Sequence, residues 1–194
     1  RFYSSSAAED KCPPKAPLNK VTLDITLEDA FEGRVRTVEW QNKFVSNRGE
    51  VTSDASFSLS IPKGVAHGNK VTLAGKGNTQ DGLRQGDIEV EFNMVAHESF
   101  RRVGDDLLVT CPITLADALS GVTLDINTID GRQLSILVDE IVHPKFQRVV
   151  AGQGMPVRGA ENKRGNLIVE CATQFPAYLT AEQKSEIRRI LTAQ

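Results

Sequence analysis

Ile25-Thr-Leu-Glu-Asp-Ala-Phe-Glu-Gly33 and Ile113-Thr-Leu-Ala-Asp-Ala-Leu-Ser-Gly121 are two copies of one nine-residue stretch, identical at six positions and offset by 88 residues. A second echo follows each copy. Gly75-Lys-Gly77 leads to Gly86-Asp-Ile-Glu-Val-Glu91, and Gly152-Gln-Gly154 leads to Gly165-Asn-Leu-Ile-Val-Glu170. Shared order with unequal spacing indicates a duplicated domain with different loop lengths, not a tight solenoid. The expected layout is a linker or tail at 1–17, a first domain at 18–100, a second at 101–178 and a C-terminal helix at 179–194.

Around the first copy, Val21, Leu23 and Ile25 share parity, as do Val38 and Trp40, and Ile88, Val90 and Phe92. Such alternation predicts half-buried strands. Leu27–Phe31 is long enough for a helical turn, which Gly33 ends. Around the second copy, Leu107–Ile113 and Val122–Ile126 read as strands. Asp130-Gly131 is a hairpin turn between Leu124-Asp-Ile126 and Leu134-Ser-Ile136. Residues 41–56 are polar and read as an exposed loop, and 151–165 as the longest loop of the second half. The end of the chain differs in kind. Thr180-Ala-Glu-Gln183 matches a capping box, and Ile187, Ile190 and Leu191 fall on one stripe of a helix of about three turns, too short to be stable alone in water. The fold class is therefore mostly β: two tandem homologous β-sandwich-like domains with short helices, plus a C-terminal amphipathic helix.

The 194 residues carry 23 Lys and Arg against 25 Asp and Glu, a net charge of -2. The basic residues are scattered, which points away from nucleic acid, and no apolar run reaches membrane-spanning length. Cys12, Cys111 and Cys171 form no Cys-x-x-Cys pair, so no zinc site and a reducing compartment are expected. Cys111 and Cys171 read as small core residues. Arg1-Phe2-Tyr3-Ser4 has a trace of a processing site, and a linker is the plainer reading. Catalytic chemistry is not visible. The Gly-x-Gly pairs lack a third glycine where a nucleotide loop needs it. His67, His97 and His143 lie in separate loop contexts without metal-ligand spacing, and Asp105-Asp106 reads as a turn. A non-enzyme without cofactor or metal is expected.

Several motifs in order resemble the C-terminal substrate-binding region of DnaJ-like J-domain co-chaperones. They are Leu27-Glu-Asp29 with Gly33, Ile61-Pro-Lys-Gly64, Gly86-Asp87, His97-Glu-Ser-Phe100-Arg-Arg-Val-Gly104-Asp105-Asp106-Leu107, Leu115-Ala-Asp-Ala118-Leu119 with Gly121, Asp130-Gly131-Arg132, Gly152-Gln-Gly154-Met155-Pro156, Arg164-Gly165-Asn166-Leu167 and Phe175-Pro176. One class of the family carries four Cys-x-x-Cys-x-Gly-x-Gly repeats. Between Trp40 and Phe57 there is neither room nor a cysteine for them, so the chain resembles the type II class. The resemblance implies a helical J domain upstream, outside this chain.

It also implies functions. A shallow groove in the first domain would take extended, non-native client segments, through Val21, Leu23, Arg36, Val38, Trp40 and Val90. Alternation by itself reads the same residues as core. Phe175, Pro176 and Leu179, with Ile187, Ile190 and Leu191, would form a homodimer contact; packing of the helix on its own domain is the other reading. The implied partner is a DnaK-type (heat-shock 70 class) ATPase chaperone in the cytoplasm. Docking of that partner's acidic tail would need basic residues on the second strand. Arg34 and Arg36 qualify, while Thr37 and Glu39 depart from the pattern. The alternative is a fixed dimeric scaffold part, as in a ciliary radial spoke, to which Ile141-Val-His-Pro-Lys145 with Phe146 bears a likeness.

Overall fold

The computed structural model describes residues 13–47, 49–160 and 162–193, in two compact units divided between Val95 and Ala96. Cys12 and residues 1–4 lie outside the described residues.

The first unit runs β1 (Asn19–Ile25), α1 (Leu27–Glu32), β2 (Val35–Ser46), β3 (Gly49–Ser60), β4 (Lys70–Leu73), β5 (Thr79–Gln80) and β6 (Ile88–Met94). One sheet has the order β1-β6-β4, with β1 parallel to β6, and the other the order β3-β2-β5. The second unit runs β7 (Phe100–Val103), β8 (Asp106–Thr114), α2 (Leu115–Ser120), β9 (Val122–Asn127), β10 (Gln133–Val138), β11 (Gln147–Val150), β12 (Leu167–Gln174) and α3 (Ala181–Thr192). Its sheets are β11-β12-β8-β7, with β8 parallel to β12, and the hairpin β10-β9.

Both units thus follow one path: strand, capped helical turn, hairpin, and a return strand parallel to the first. The local chemistry of the repeated nonapeptide explains the start of that path. Thr26 and Thr114 are N-caps, and each makes a reciprocal capping box with the Asp three residues on, Asp29 or Asp117. This satisfies donors that a helix start leaves open. Gly33 then adopts the left-handed conformation (φ 77°), and its N–H closes on the Asp29 carbonyl. A side chain disfavours that conformation, so the turn ends there.

The second echo marks backbone crossings rather than a ligand loop. Gly77 N–H donates to the Gly86 carbonyl at 2.8 Å, and Gly154 N–H donates to the Gly165 carbonyl at 2.8 Å. A Cβ on Gly165 would lie 2.0 Å from the Asp105 carbonyl oxygen; on Gly86 it would lie 2.9 Å from the Ala16 and Pro17 carbonyl oxygens. Only glycine leaves room for the neighbouring chain.

Two expectations change. Residues 41–56 are not a loop: β2 and β3 pair along their whole length, from Val35↔Ser60 to Ser46↔Gly49. Beyond Trp40 the few apolar side chains, Phe44, Val45 and Val51, are exposed, and cross-strand contacts such as Gln41–Asp54 (3.1 Å) and Lys43–Glu50 (2.9 Å) support the hairpin. A strand pair solvated on both faces carries no period-2 apolar pattern, so the sequence reads as loop. The end of the expected linker is also docked. Ala16 is buried and donates to the Arg84 carbonyl, and Lys15 meets Asp87 at 2.6 Å.

Candidate functional site: an open strand edge and an exposed terminal helix

In the sheet β1-β6-β4 the register aligns Val21, Val90 and Val71 in one row, and Leu23 with Phe92 in the next. Side chains on this face are apolar; the opposite face carries Lys20, Glu89, Thr22, Glu91 and Lys70. The central strand is sealed, with Val90 and Phe92 at 0% exposure. At the edge strand β1, Val21 and Leu23 are only half-buried. On β2, Val38 and Trp40 point to the same side and are buried, at 2% and 8%.

No ladder joins β1 to β2, although only α1 separates them in the chain. Asn19 Nδ2 donates to the Gln41 carbonyl at 3.5 Å, where β1 begins. At the other end, α1 holds Asp29 against Arg36 of β2. Between these two ties, β1 and the first part of β2 each have one edge that no described strand pairs. The first domain therefore carries two open strand edges lined by apolar residues.

Of the six predicted groove residues, Val21 and Leu23 are accessible, whereas Val38, Trp40 and Val90 are core. Trp40 Nε1 donates to Asn42 Oδ1 at 2.9 Å, so its polar atom is satisfied. Arg36 has a different task. Its Nε and Nη2 donate to Asp29 Oδ2 and Oδ1, both at 2.9 Å, and Asp29 is 1% exposed. The guanidinium fork neutralises a buried carboxylate that is also the capping-box acceptor. Arg34 pairs with Glu32 at 2.6 Å, and that hydrogen bond holds its guanidinium pKa above the ordinary value. Both candidate cations for an acidic tail are thus engaged by acids of α1. The nonapeptide was read only as a helical turn ended by Gly33; its Thr-x-x-Asp spacing is the signal for the box, whereas the partner seven residues later leaves none, because that pairing depends on the turn at Gly33.

At the C-terminus the capping box at Thr180 and Gln183 forms as expected. No residue of α3 is buried. Ile187, Ile190 (66%) and Leu191 are exposed, together with Pro176 and Phe175 (74%), while Leu179 is half-buried. Tyr178, at 79%, is exposed as well and was not anticipated, since the run 175–179 has no strand or helix period. The helix does not bury its stripe within the described residues of its own unit.

The remaining polar candidates are structural. His97 Nδ1 accepts from the N–H groups of Ser99 and Phe100, His143 Nδ1 from Lys145, and His67 Nδ1 from Met94. Among the described residues no group of three or more His, Cys, Asp or Glu is placed to hold a metal. Asp106 Oδ1 accepts from the Asn166 N–H at 2.6 Å, tying β8 to the start of β12, and Asp105 pairs with Arg102. Asp130 receives Arg132 Nε and the Thr128 hydroxyl, which bring its pKa down to about 2. Cys111 and Cys171, expected as core, are half-buried: each stands on the core-facing parity of its strand, Cys111 between buried Val109 and Ile113 and Cys171 just past buried Val169. Among the described residues no helix is long and apolar enough to cross a membrane.

These features describe a tandem β module that presents open strand edges and a helix with an exposed apolar stripe. The model of the DnaJ C terminal domain matches residues 19–176. Among similar proteins, DnaJ homolog subfamily B member 13 of Homo sapiens is 30% identical over 171 residues, covering 87% of this chain and 54% of that protein. Protein psi1 of Schizosaccharomyces pombe is 33% identical over 189 residues, covering 95% and 50%. Protein SIS1 of Saccharomyces cerevisiae is 32% identical over 184 residues, covering 94% and 51%. The chain belongs to the DnaJ C-terminal domain family. The uninterrupted hairpin of β2 and β3 makes it the type II kind. It spans about half the length of these relatives.

Proposed function

We propose that this chain is a non-catalytic co-chaperone module: its first unit holds extended, non-native segments of other proteins, and its terminal helix makes it a homodimer. The observation that carries the first part is the pair of unpaired strand edges on β1 and β2, with half-exposed Val21 and Leu23 beside them. An extended segment laid there gains main-chain hydrogen bonds from the edge and seats alternate side chains on the apolar row. Each client Leu or Phe gains roughly 1.5–3 kcal/mol on full burial, a shallow edge recovers less, and ordering the segment costs several kcal/mol. Affinity is therefore about micromolar or weaker, with little sequence preference. Two copies in a dimer raise it by avidity.

Binding is tested with a fluorescein-labelled apolar peptide in an anisotropy titration. Val21→Asp with Leu23→Asp is expected to weaken binding at least about tenfold, the loss of one anchor, with the circular dichroism spectrum unchanged. Equal affinity of the double variant removes the edge from the reading. Dimerisation is tested by light scattering: a chain ending after Ala177 is expected to be a monomer, and an unchanged dimer overturns that role for α3.

In this reading the module works beside a DnaK-type ATPase chaperone in the cytoplasm. The engagement of Arg34 by Glu32 and of Arg36 by Asp29 argues against these cations as the dock for an acidic tail. A second reading, a dimeric scaffold part of a larger assembly, is favoured by the burial of Val38, Trp40 and Val90, which need no client to cover them. Under that reading the anisotropy titration is flat with the unaltered chain as well.

A further inference from the structure

Cys111 and Cys171 stand directly opposite each other in the parallel ladder of β8 and β12. They share the face of Leu107, Val109, Leu167 and Val169, and both are free thiols. The offsets that relate the two repeats map Cys111 onto Leu23 and Cys171 onto Phe92, which are themselves neighbours in the ladder of β1 and β6. Where the first unit has a register pair of large apolar side chains, the second has two thiols.

Adjacent strands lie about 4.7–4.9 Å apart, inside the Cα window of about 4.4–6.8 Å for a disulfide. The Cβ window of about 3.5–4.5 Å asks the strands to draw in by a few tenths of an ångström. A bond closed against such strain is more readily reduced than a relaxed one, so it is reversible. Access exists on one side: Cys171 lines a surface recess with Thr110, Pro144, Lys145, Phe146 and Glu170.

We propose that Cys111 and Cys171 form a reversible disulfide across β8 and β12 by exchange with a small-molecule disulfide. The Cys171 thiolate attacks one sulfur of the small disulfide, whose S–S bond breaks and expels one small thiolate. The Cys111 thiolate then attacks Cys171 Sγ and expels the second. Two protein thiols are oxidised, one small disulfide is reduced to two thiols, and the two cysteine protons end on them. Burial holds both thiols above their ordinary pKa, and the neighbouring Cys171 adds to this for Cys111. Exchange therefore speeds up with rising pH beyond the usual thiol range.

The test uses the full chain carrying Cys12→Ser, treated with glutathione disulfide and read by intact mass and peptide mapping. The expected product has lost two hydrogens, contains a Cys111–Cys171 linked peptide within one chain, and is restored by dithiothreitol. In urea the same closure is expected to slow roughly tenfold or more, since the effective concentration of the second thiol falls when a long flexible loop must close. With Cys111→Ser, glutathione is expected to remain on Cys171 as a stable mixed disulfide. The proposal is overturned if both thiols stay alkylatable, if glutathione persists on Cys171 while Cys111 is present, or if closure is as fast in urea.

Discussion

The two units share a path but not a chemistry, and equivalent positions show how. In the first, Asp29 is buried and held by Arg36; in the second, Asp117 is half-buried and the position of Arg36 is taken by Leu124, a core residue. The outer face of the first sheet pairs Lys20 with Glu89, where the second pairs Leu108 with Ile168. One capped turn therefore starts both units, yet only in the first does it also anchor the strand that borders the open edge. The glycine crossing is common to both, and tighter in the second.

The largest difference in tolerance is expected at that crossing. Gly165→Ala drives a Cβ into the Asp105 backbone and is expected to cost about 3 kcal/mol, the upper end of overpacking, whereas Gly86→Ala, with nearly an ångström more room, is expected to cost about 1–2 kcal/mol. Urea unfolding of the two variants gives the ranking, and a reversed order would deny that the second crossing is the tighter one. Next in size is the capping acid. Asp29→Ala removes a box acceptor and a charged hydrogen-bonded partner of Arg36, an expected loss of about 2–3 kcal/mol. Asp117→Ala removes the box alone, about 1 kcal/mol. Equal losses would mean that the Arg36 contact contributes nothing.

The smallest effect is one of pH. Asp130 titrates at about 2 in the folded chain against 3.8 for the free group, through Arg132 first, with help from Thr128. A carboxyl whose pKa falls on folding adds stability that is complete above its unfolded value and is lost as the pH drops from about 4 through about 2. Asp130→Asn is expected to flatten that part of the acid limb in the denaturation midpoint. An unchanged acid limb would mean that the Asp130 turn contributes nothing to the stability of the second unit.

Much of this was legible because it is local. The strand, turn and stop at residues 25–33 and 113–121, the Asp130-Gly131 turn and the Thr180 cap each satisfy their own backbone within a few residues. The hairpin from 35 to 60 was not legible beyond Trp40, since its few apolar residues, Phe44, Val45 and Val51, are exposed and fall into no alternation. Of the predicted groove, only Val21 and Leu23 kept access. Alternation says that a strand has an apolar side, and says nothing about whether that side is sealed.

By itself the amino-acid sequence determined the duplication, the capped turns, the amphipathic stripe of the last helix and, through ordered motifs, the family. Those are matters of short-range geometry and of residue type. Only the tertiary structure decided that Arg36 answers Asp29, that Val90 is sealed while Val21 is not, that α3 leaves its stripe uncovered, and that two distant cysteines meet. Each of these depends on which strand lies beside which and in what register. That choice is made by the packing of the whole unit, because a shift of one residue would turn every side chain of a strand to the opposite face.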